Sequence, residues 1–213
     1  MAKAKIKICG LTDPAAAEWA AEQGASFLGV VFHAKSPRAV DFHRAAEIFE
    51  FVPAKAAKVG LFVDPSDDLL AQAMNEVRLD YFQLHGDETP ERVEAIRQEF
   101  GMPVIKAVGI SAAADLAAAR AFDEIADMLL FDAKPAAGAT RPGGHGVAFD
   151  WSLLAGAKFK SPWFLAGGLT PDNVAAAIAA SGAKLVDVSS GVESAPGVKD
   201  ADLVARFIAA AKG

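Results

Sequence analysis

The chain has 213 residues, of which 53% are hydrophobic and 23% are charged, and its formal net charge is −6 at pH 7. This length fits one large domain or two small ones, with enough apolar residues for a sizeable core. The negative charge argues against nucleic acid or an anionic membrane as the main partner, but a locally basic pocket can still hold a small anionic substrate.

Short, mostly apolar runs recur along the chain at intervals of roughly 20 to 35 residues, the length of a strand, a helix and two loops. Runs of this kind are typical of strands that are buried on both faces of a parallel sheet. The eight predicted strands are 6–9, 27–32, 58–63, 81–85, 104–108, 128–132, 163–166 and 185–189.

Amphipathic, alanine-rich stretches lie between these runs and are predicted to be helices. Asp13 and Pro14 open the first, as an N-cap residue followed by proline at the first helical position, and Gly24 ends it. The threonine and proline at 89–90 repeat this pattern. The predicted helices are 15–23, 42–51, 67–75, 90–100, 111–121, 149–155, 170–181 and 199–211.

This alternation predicts a parallel sheet with right-handed connections. Eight strand–helix units close most naturally into a (β/α)8 TIM barrel, and we expect residues 1–213 to form this single catalytic domain. An open, doubly wound sheet is the alternative. The one long loop, 134–147, follows the sixth strand and holds four glycines and two prolines. A loop of this length in a compact barrel is usually functional.

Reactive groups in such barrels lie at the carboxyl ends of the strands, so polar residues that end the apolar runs are the candidates. Cys9, the only cysteine, ends the first strand, and Asp132 ends the sixth. The other candidates are Arg38, Gln83, His85, Lys106, Asp187, Ser189 and Ser190. By itself, Cys9 could equally be an inert buried thiol. Asp132 could pair with Lys106 or Lys134, and Arg38 could be a surface charge on a loop.

Two glycine-rich stretches have the pattern of phosphate-binding loops. AGGLTPDN (166–173) places Gly167 and Gly168 just before a capped helix. SSGVES (189–194) places Ser190 and Gly191 after the eighth strand, where a short extra helix could begin. Backbone N–H groups and the positive end of a helix dipole bind anions at such positions. Barrel enzymes commonly hold phosphate in the loops that follow strands seven and eight.

The order of the strands constrains the ligand. In a closed barrel, strands seven and eight lie between strands six and one, so a phosphate held there is flanked by Asp132 and Cys9. A ligand that extends across the barrel mouth then points towards strands two to four, where we expect Arg38. Arginine offers a planar fork that matches a carboxylate. We therefore expect phosphate at one end, acid–base chemistry in the middle and a carboxylate at the other end.

The same motifs carry a family resemblance. They are KICGLTD (7–13), SPR (36–38), QLHGDE (83–88), FDAK (131–134), GGHGVAFDW (143–151), LAGGLTPDNV (165–174) and DVSSGVE (187–193). In order and over nearly the whole chain, this set is similar to that of the phosphoribosylanthranilate isomerase family of tryptophan biosynthesis. One position departs: His145 stands where the family often has threonine, so we expect the contacts of that loop to differ.

The resemblance implies a cofactor-free, metal-free Amadori rearrangement. N-(5-phosphoribosyl)anthranilate becomes 1-(2-carboxyphenylamino)-1-deoxyribulose 5-phosphate, with Cys9 as general base and Asp132 as general acid. Arg38 is expected to hold the anthranilate carboxylate. By the resemblance, Gly168, Ser190 and Gly191 are expected to hold the phosphate. Their positions add Gln83, His85, Gly167 and Asp187 to the expected substrate-binding set, with Gln83 and His85 as lining residues; the alternative for Asp187 is that it only orients strand eight.

This chemistry sets conditions on two groups. A thiol ordinarily titrates near about 8.5, so we expect a nearby positive charge to lower the pKa of Cys9. Lys7 shares the inward face with Cys9 if the pleat is regular. Asp132 should be buried so that it keeps a proton to give.

Two other functions fit the same fold. One is a different phosphosugar enzyme, such as an epimerase with metal ligands or a Schiff-base aldolase that uses Lys106, the only lysine candidate for this role that is expected to face inward. The other is a phosphosugar-binding protein without chemistry, against which the presence of both Cys9 and Asp132 argues.

The surroundings of the protein are predicted from what the sequence lacks. One cysteine cannot form an internal disulfide, and no apolar run has the length of a signal or a membrane span. These features predict a cytoplasmic protein. Barrels of this kind are single or paired, so a monomer or a homodimer is expected. Its expected partner is a small phosphorylated substrate, with no nucleic acid and no membrane.

Overall fold

The computed structural model describes residues 3–134 and 148–213. Its strands pair in parallel in chain order, and the eighth pairs with the first, which confirms the closed (β/α)8 barrel. The strands are β1 Lys5–Cys9, β2 Phe27–Val31, β3 Ala57–Phe62, β4 Tyr81–Leu84, β5 Val104–Ile110, β6 Met128–Ala133, β7 Trp163–Leu165 and β8 Leu185–Val188.

Helices follow the strands and surround the barrel. Asp13 accepts a hydrogen bond from the N–H of Ala16 and Thr89 accepts one from the N–H of Arg92, so both predicted caps are confirmed. The α-helices of the described residues are α1 Pro14–Glu22, α2 Phe42–Phe49, α3 Asp67–Glu76, α4 Pro90–Phe100, α5 Ala113–Ala119, α6 Val174–Ser181 and α7 Ala201–Lys212. Short 3-10 turns form at Arg120–Phe122, Trp151–Leu154 and Ser190–Val192.

Strand side chains alternate between two apolar layers, as the period of a strand requires. Ile6 and Ile8 of β1 belong to the layer between sheet and helices. Phe27 and Phe164 belong to the smaller interior layer, where their rings meet edge to face with centroids 5.1 Å apart. The odd-numbered residues of β1, including Cys9, therefore lie on the interior side.

Lys106 lies on the opposite side of its strand from the expected one. Its neighbours Ile105 and Ala107 belong to the interior layer, so Lys106 faces outward. Its Nζ donates to the carbonyl of Gly86 and to Glu88, each at 2.8 Å. The expectation that Lys106 points inward is wrong, and the Schiff-base aldolase alternative loses its nucleophile.

Most predicted helices differ from the observed ones by one or two residues at an end, and at three places side chains and turns change the structure more. The helix after β7 begins at Val174, since Asn173 Oδ1 accepts from the N–H of Thr170 in a preceding turn. The helix predicted at 149–155 is only a 3-10 turn. Before α7 the chain forms an unpredicted hairpin of β9 (Glu193–Ala195) and β10 (Val198–Lys199).

Among the described residues, no helix is both long enough and apolar enough to cross a membrane. The predicted loop 134–147 and its His145 lie outside the described residues, apart from Lys134.

Candidate active site

A buried ion pair lies inside the barrel below the end of β1. Lys7 and Asp187 are paired in register across β1 and β8, and Lys7 Nζ lies 2.7 Å from Asp187 Oδ1. Cys9 is two residues after Lys7 in β1, so its side chain lies on the same side of the strand. It is paired in register with Gly29 of β2. The expectation that Lys7 shares the inward face with Cys9 is therefore confirmed.

Burial dominates the electrostatics of the thiol. Cys9 is only 4% exposed, and this burial raises its pKa above the ordinary value of a thiol. The charge of Lys7 acts in the opposite direction without offsetting the burial, and Asp187 adds to the rise. The expectation of a net lowering is wrong, because the sequence shows the neighbouring lysine but not how completely the strands enclose the sulfur.

Asp132 lies at the end of β6 on the interior side, with 13% of its side chain exposed. Its Oδ1 accepts from the N–H of Ala133 at 2.8 Å, and its Oδ2 lies 3.4 Å from Nε2 of His85. Lys106 and Lys134 pair with other carboxylates, Glu88 and Asp115. Asp132 is thus beside a histidine rather than either lysine.

Gln83 is the hydrogen-bond partner of His85, the histidine beside Asp132. Gln83 Nε2 and His85 Nδ1 are 3.0 Å apart. In the tautomer in which the amide donates to Nδ1, the proton of a neutral imidazole is on Nε2, the nitrogen 3.4 Å from Asp132 Oδ2. Gln83 is fully buried, and its Oε1 has no hydrogen-bond partner among the described residues.

The cleft beside Asp132 is large enough for a small ligand. Its volume is about 400 Å³, and its lining includes His85, Asp132 and Gly109 at the ends of β4, β6 and β5. Ligand sites of small molecules typically measure about 300–1,000 Å³.

The two predicted phosphate loops meet at the barrel mouth. Gly167 and Gly168 both have positive φ, 80° and 64°, a conformation that favours glycine. A Cβ on Gly167 would lie 3.1 Å from Asp132 Oδ1, so this loop borders the carboxyl group. A Cβ on Gly191 would lie 1.8 Å from the carbonyl oxygen of Leu169, so glycine is required where the loops touch.

Arg38 is buried, with 6% exposure, and is not a free surface charge. Its Nε and Nη2 donate to the two carboxylate oxygens of Glu193, each at 2.7 Å. A Cβ on Gly10 would lie 2.5 Å from Arg38 Cδ, which places Arg38 beside the end of β1. Its neighbour Ala39 bridges to Val31 of β2, within the expected region of strands two to four, and the Arg38 side chain reaches from there to the segments after β1 and β8.

Sequence reasoning missed two charged residues of this site. Glu193 holds Arg38 and also accepts from Lys199 Nζ at 2.6 Å. Lys199 in turn donates to the carbonyl of Ser189 at 3.1 Å. Glu193 could have been found from the sequence, because it ends the DVSSGVE motif. Lys199 could not, because nothing in the sequence indicated the hairpin that places it next to Glu193.

No group of three or more histidine, cysteine, aspartate or glutamate side chains in the described residues is arranged to hold a metal ion.

A family model described as N-(5′-phosphoribosyl)anthranilate (PRA) isomerase matches residues 6–210. An N-(5′-phosphoribosyl)anthranilate isomerase of Paramagnetospirillum magneticum is 59% identical over 98% of this chain and 97% of its own length. One of Rhodospirillum rubrum is 54% identical over 100% of this chain and 99% of its own. The chain belongs to the phosphoribosylanthranilate isomerase family.

Solved structures of the phosphoribosylanthranilate isomerase family share this fold over the full barrel. The enzyme of Thermotoga maritima superimposes with a TM-score of 0.89 at 37% identity, covering 99% of both chains. A phosphoribosylanthranilate isomerase in complex with reduced 1-(o-carboxyphenylamino)-1-deoxyribulose 5-phosphate gives a TM-score of 0.86 at 36% identity, again over 99% of both chains. The activity of this chain is isomerisation of phosphoribosylanthranilate in tryptophan biosynthesis, an intramolecular rearrangement.

Proposed function

We propose that Cys9 and Asp132 are the base and the acid of this isomerisation, acting on a sugar held between them. The observation that supports this most is their common setting. Both lie on the interior side at the carboxyl ends of β1 and β6, and the loop at Gly167 that borders Asp132 continues to the contact with Gly191, which follows β8. A ligand anchored by this loop pair reaches both groups.

The first step opens the furanose ring. Asp132, in its protonated form, gives its proton to the ring oxygen O4′. The bond between C1′ and O4′ breaks while the nitrogen lone pair forms a double bond to C1′, which leaves a protonated Schiff base. His85 lines this part of the cleft with the buried Gln83 behind it, and His85 Nε2 faces the carboxylate that Asp132 becomes.

The second step moves the hydrogen of the sugar. Cys9, as thiolate, takes the proton from C2′, and the electron pair of that C–H bond neutralises the Schiff base to give an enolamine. Tautomerisation of the enolamine yields the ketone. Proton transfer by a positioned side chain contributes typically about 10²–10⁴ in rate at each step.

The two ends of the substrate have separate binding groups in this proposal. The phosphate lies against the backbone of Gly168, Ser190 and Gly191, where the 3-10 turn Ser190–Val192 begins. The anthranilate carboxylate lies on Arg38, whose guanidinium has five N–H donors and gives two of them to Glu193. Asp187 acts indirectly, through its ion pair with Lys7 inside the barrel.

We also propose a cytoplasmic protein that consists of one domain and acts as a monomer or homodimer. Tryptophan biosynthesis is an intracellular process, which supports the location. The Thermotoga maritima enzyme is described as dimeric in work that generated its monomers, so pairing is a precedent within the family.

Two isosteric substitutions test the roles of Cys9 and Asp132. Cys9→Ser should nearly abolish turnover, because serine is far too weakly acidic to act as the base, and Asp132→Asn should do so by removing the transferable proton. Turnover is followed by the change in fluorescence as phosphoribosylanthranilate is consumed. Asp68→Asn, an exposed position on α3, is the matched control and should keep full activity.

Each variant is also checked for native circular dichroism and for binding of a reduced product analogue. A folded Cys9→Ser or Asp132→Asn protein with full activity would refute the corresponding role. Full activity in both would favour a different acid–base pair in the same barrel.

A further inference from the structure

We propose that Lys7 is a positioning residue that holds the thiolate of Cys9 by its positive charge, and that Asp187 limits how strongly it does so. This proposal rests on the base role proposed for Cys9. It assigns a function to the buried ion pair of β1 and β8, which none of the steps above uses directly.

The geometry brings the ammonium and the sulfur to the same small space. Gly29, the register partner of Cys9, has no side chain there. A Cβ added to Gly29 would lie 3.0 Å from Cys9 Sγ and 3.3 Å from Lys7 Nζ, so both atoms border one position. Lys7 Nζ carries three donors and gives one to Asp187, which leaves donors for a thiolate.

Lys7 remains charged in spite of its complete burial. Burial lowers its pKa, but Asp187 and Cys9 together outweigh burial and leave the pKa above the ordinary lysine value. With neither anion beside it, an ammonium in this place would lose its proton. Asp187 keeps Lys7 charged while the thiol is neutral, and in its absence the thiolate of Cys9 is the anion that pairs with the ammonium.

The other charges near the thiol are less suited to this task. Lys199 affects Cys9 by its charge but makes no hydrogen bond to it. Burial lowers the pKa of Lys199, and its Nζ donates to Glu193 and to the carbonyl of Ser189. Arg38 gives two donors to Glu193. Lys7 is thus the fixed cation next to the sulfur, and Asp187 is the carboxylate that opposes ionisation of the thiol.

The two members of the pair should shift the thiol titration in opposite directions. Because Cys9 is the only cysteine, the ultraviolet absorbance of its thiolate can be isolated by subtracting the same variant with Cys9→Ser. Lys7→Met should move the midpoint to higher pH by about one unit or more, since an adjacent opposite charge is removed. Asp187→Asn should move the midpoint to lower pH.

A second buried lysine pair serves as control. Lys106 and Glu88 are 2.8 Å apart and are 3% and 1% exposed at their side chains, but they lie on the outer side of β5. Lys106→Met should leave the thiol midpoint unchanged. A merely structural role for Lys7 predicts instead that all three variants loosen the barrel and shift the midpoint the same way.

The proposal is overturned if Lys7→Met and Asp187→Asn shift the midpoint in the same direction, or if neither shifts it. Should Lys7→Met fail to fold, Asp187→Asn decides alone, and an unchanged or higher midpoint overturns the proposal. The pH dependence of kcat/KM should follow the thiol midpoint in both variants. An active Cys9→Ser protein would refute the base role while the titration of the thiol still reports on Lys7.

Discussion

At the scale of single residues, the site is a set of charges that are already paired within the protein. Arg38 is held by Glu193, Lys7 by Asp187 and Lys199 again by Glu193. Buried pairs of this kind cost desolvation energy, but breaking one leaves an uncompensated charge. The arrangement fixes each cation in place before a substrate anion arrives, which reduces the side-chain ordering that binding requires.

Arg38→Ala should raise KM for phosphoribosylanthranilate by about 10-fold or more, since a hydrogen bond to a charged group contributes about 1.5–3 kcal/mol. The change in kcat should be smaller, because the carboxylate is remote from the reacting carbons. Steady-state kinetics measures both constants.

Arg78→Ala, an exposed position that precedes β4 at the other end of the barrel, is the control for Arg38→Ala. An unchanged KM in a folded Arg38→Ala protein would remove Arg38 from the substrate site.

The sequence predicts the positions of the candidate site residues better than their energetics. Cys9 and Asp132 could be placed at the carboxyl ends of β1 and β6 because they end apolar runs. The net rise in the pKa of Cys9 could not, because it depends on enclosure by Gly29 and Asp187 from two other strands. The pairing of Arg38 with Glu193 spans 155 residues and carries no local signal.

At the scale of elements, the loops after β7 and β8 act as one structure. They meet where Gly191 lies against the backbone carbonyl of Leu169. The hairpin of β9 and β10 adds a second layer, since Thr12 Oγ1 donates to the carbonyl of Gly197 at 2.7 Å. Segments that follow β1, β7 and β8 are thereby tied together around the proposed phosphate position.

Gly191→Ala should weaken phosphate binding, because the new Cβ has no room against the carbonyl of Leu169 and the two loops must separate. We expect a higher KM and weaker inhibition by inorganic phosphate.

Gly182→Ala is a matched control for Gly191→Ala: its φ is 75° and nothing lies within 4 Å of the added Cβ. It should cost about 1 kcal/mol in stability from backbone strain while KM is unchanged. Equal KM values in the two variants would contradict a shared phosphate site.

Element types were predictable because the apolar period and the caps are local signals. The misplaced boundaries have local but subtler causes. At 170–173 the side chain of Asn173 stabilises a turn in place of helix, and at 198–199 the hairpin competes with the start of α7, which Asp200 caps instead. Each competing hydrogen bond becomes visible only when the neighbouring backbone is in place.

At the scale of the whole molecule, closure of the barrel brings distant parts of the chain to one mouth. Pairing of β8 with β1 puts residues near both ends of the chain in contact, as the 180-residue separation of Lys7 and Asp187 shows. The repeat of strand and helix predicted this closure, and with it the inward side of β1, but the inward side of β5 was predicted wrongly at Lys106. It also placed Cys9 and Asp132 on opposite sides of the proposed phosphate loops.

The central claim is that Cys9 and Asp132 act on two atoms of the same sugar, C2′ and O4′. A crystal structure of this chain with the reduced product analogue tests it most directly. We predict Cys9 Sγ within about 3.5 Å of the carbon that corresponds to C2′, and a carboxylate oxygen of Asp132 at a similar distance from the oxygen that corresponds to O4′. A complex in which the sugar chain lies beyond contact with either group, or contacts both at other atoms, would contradict the account.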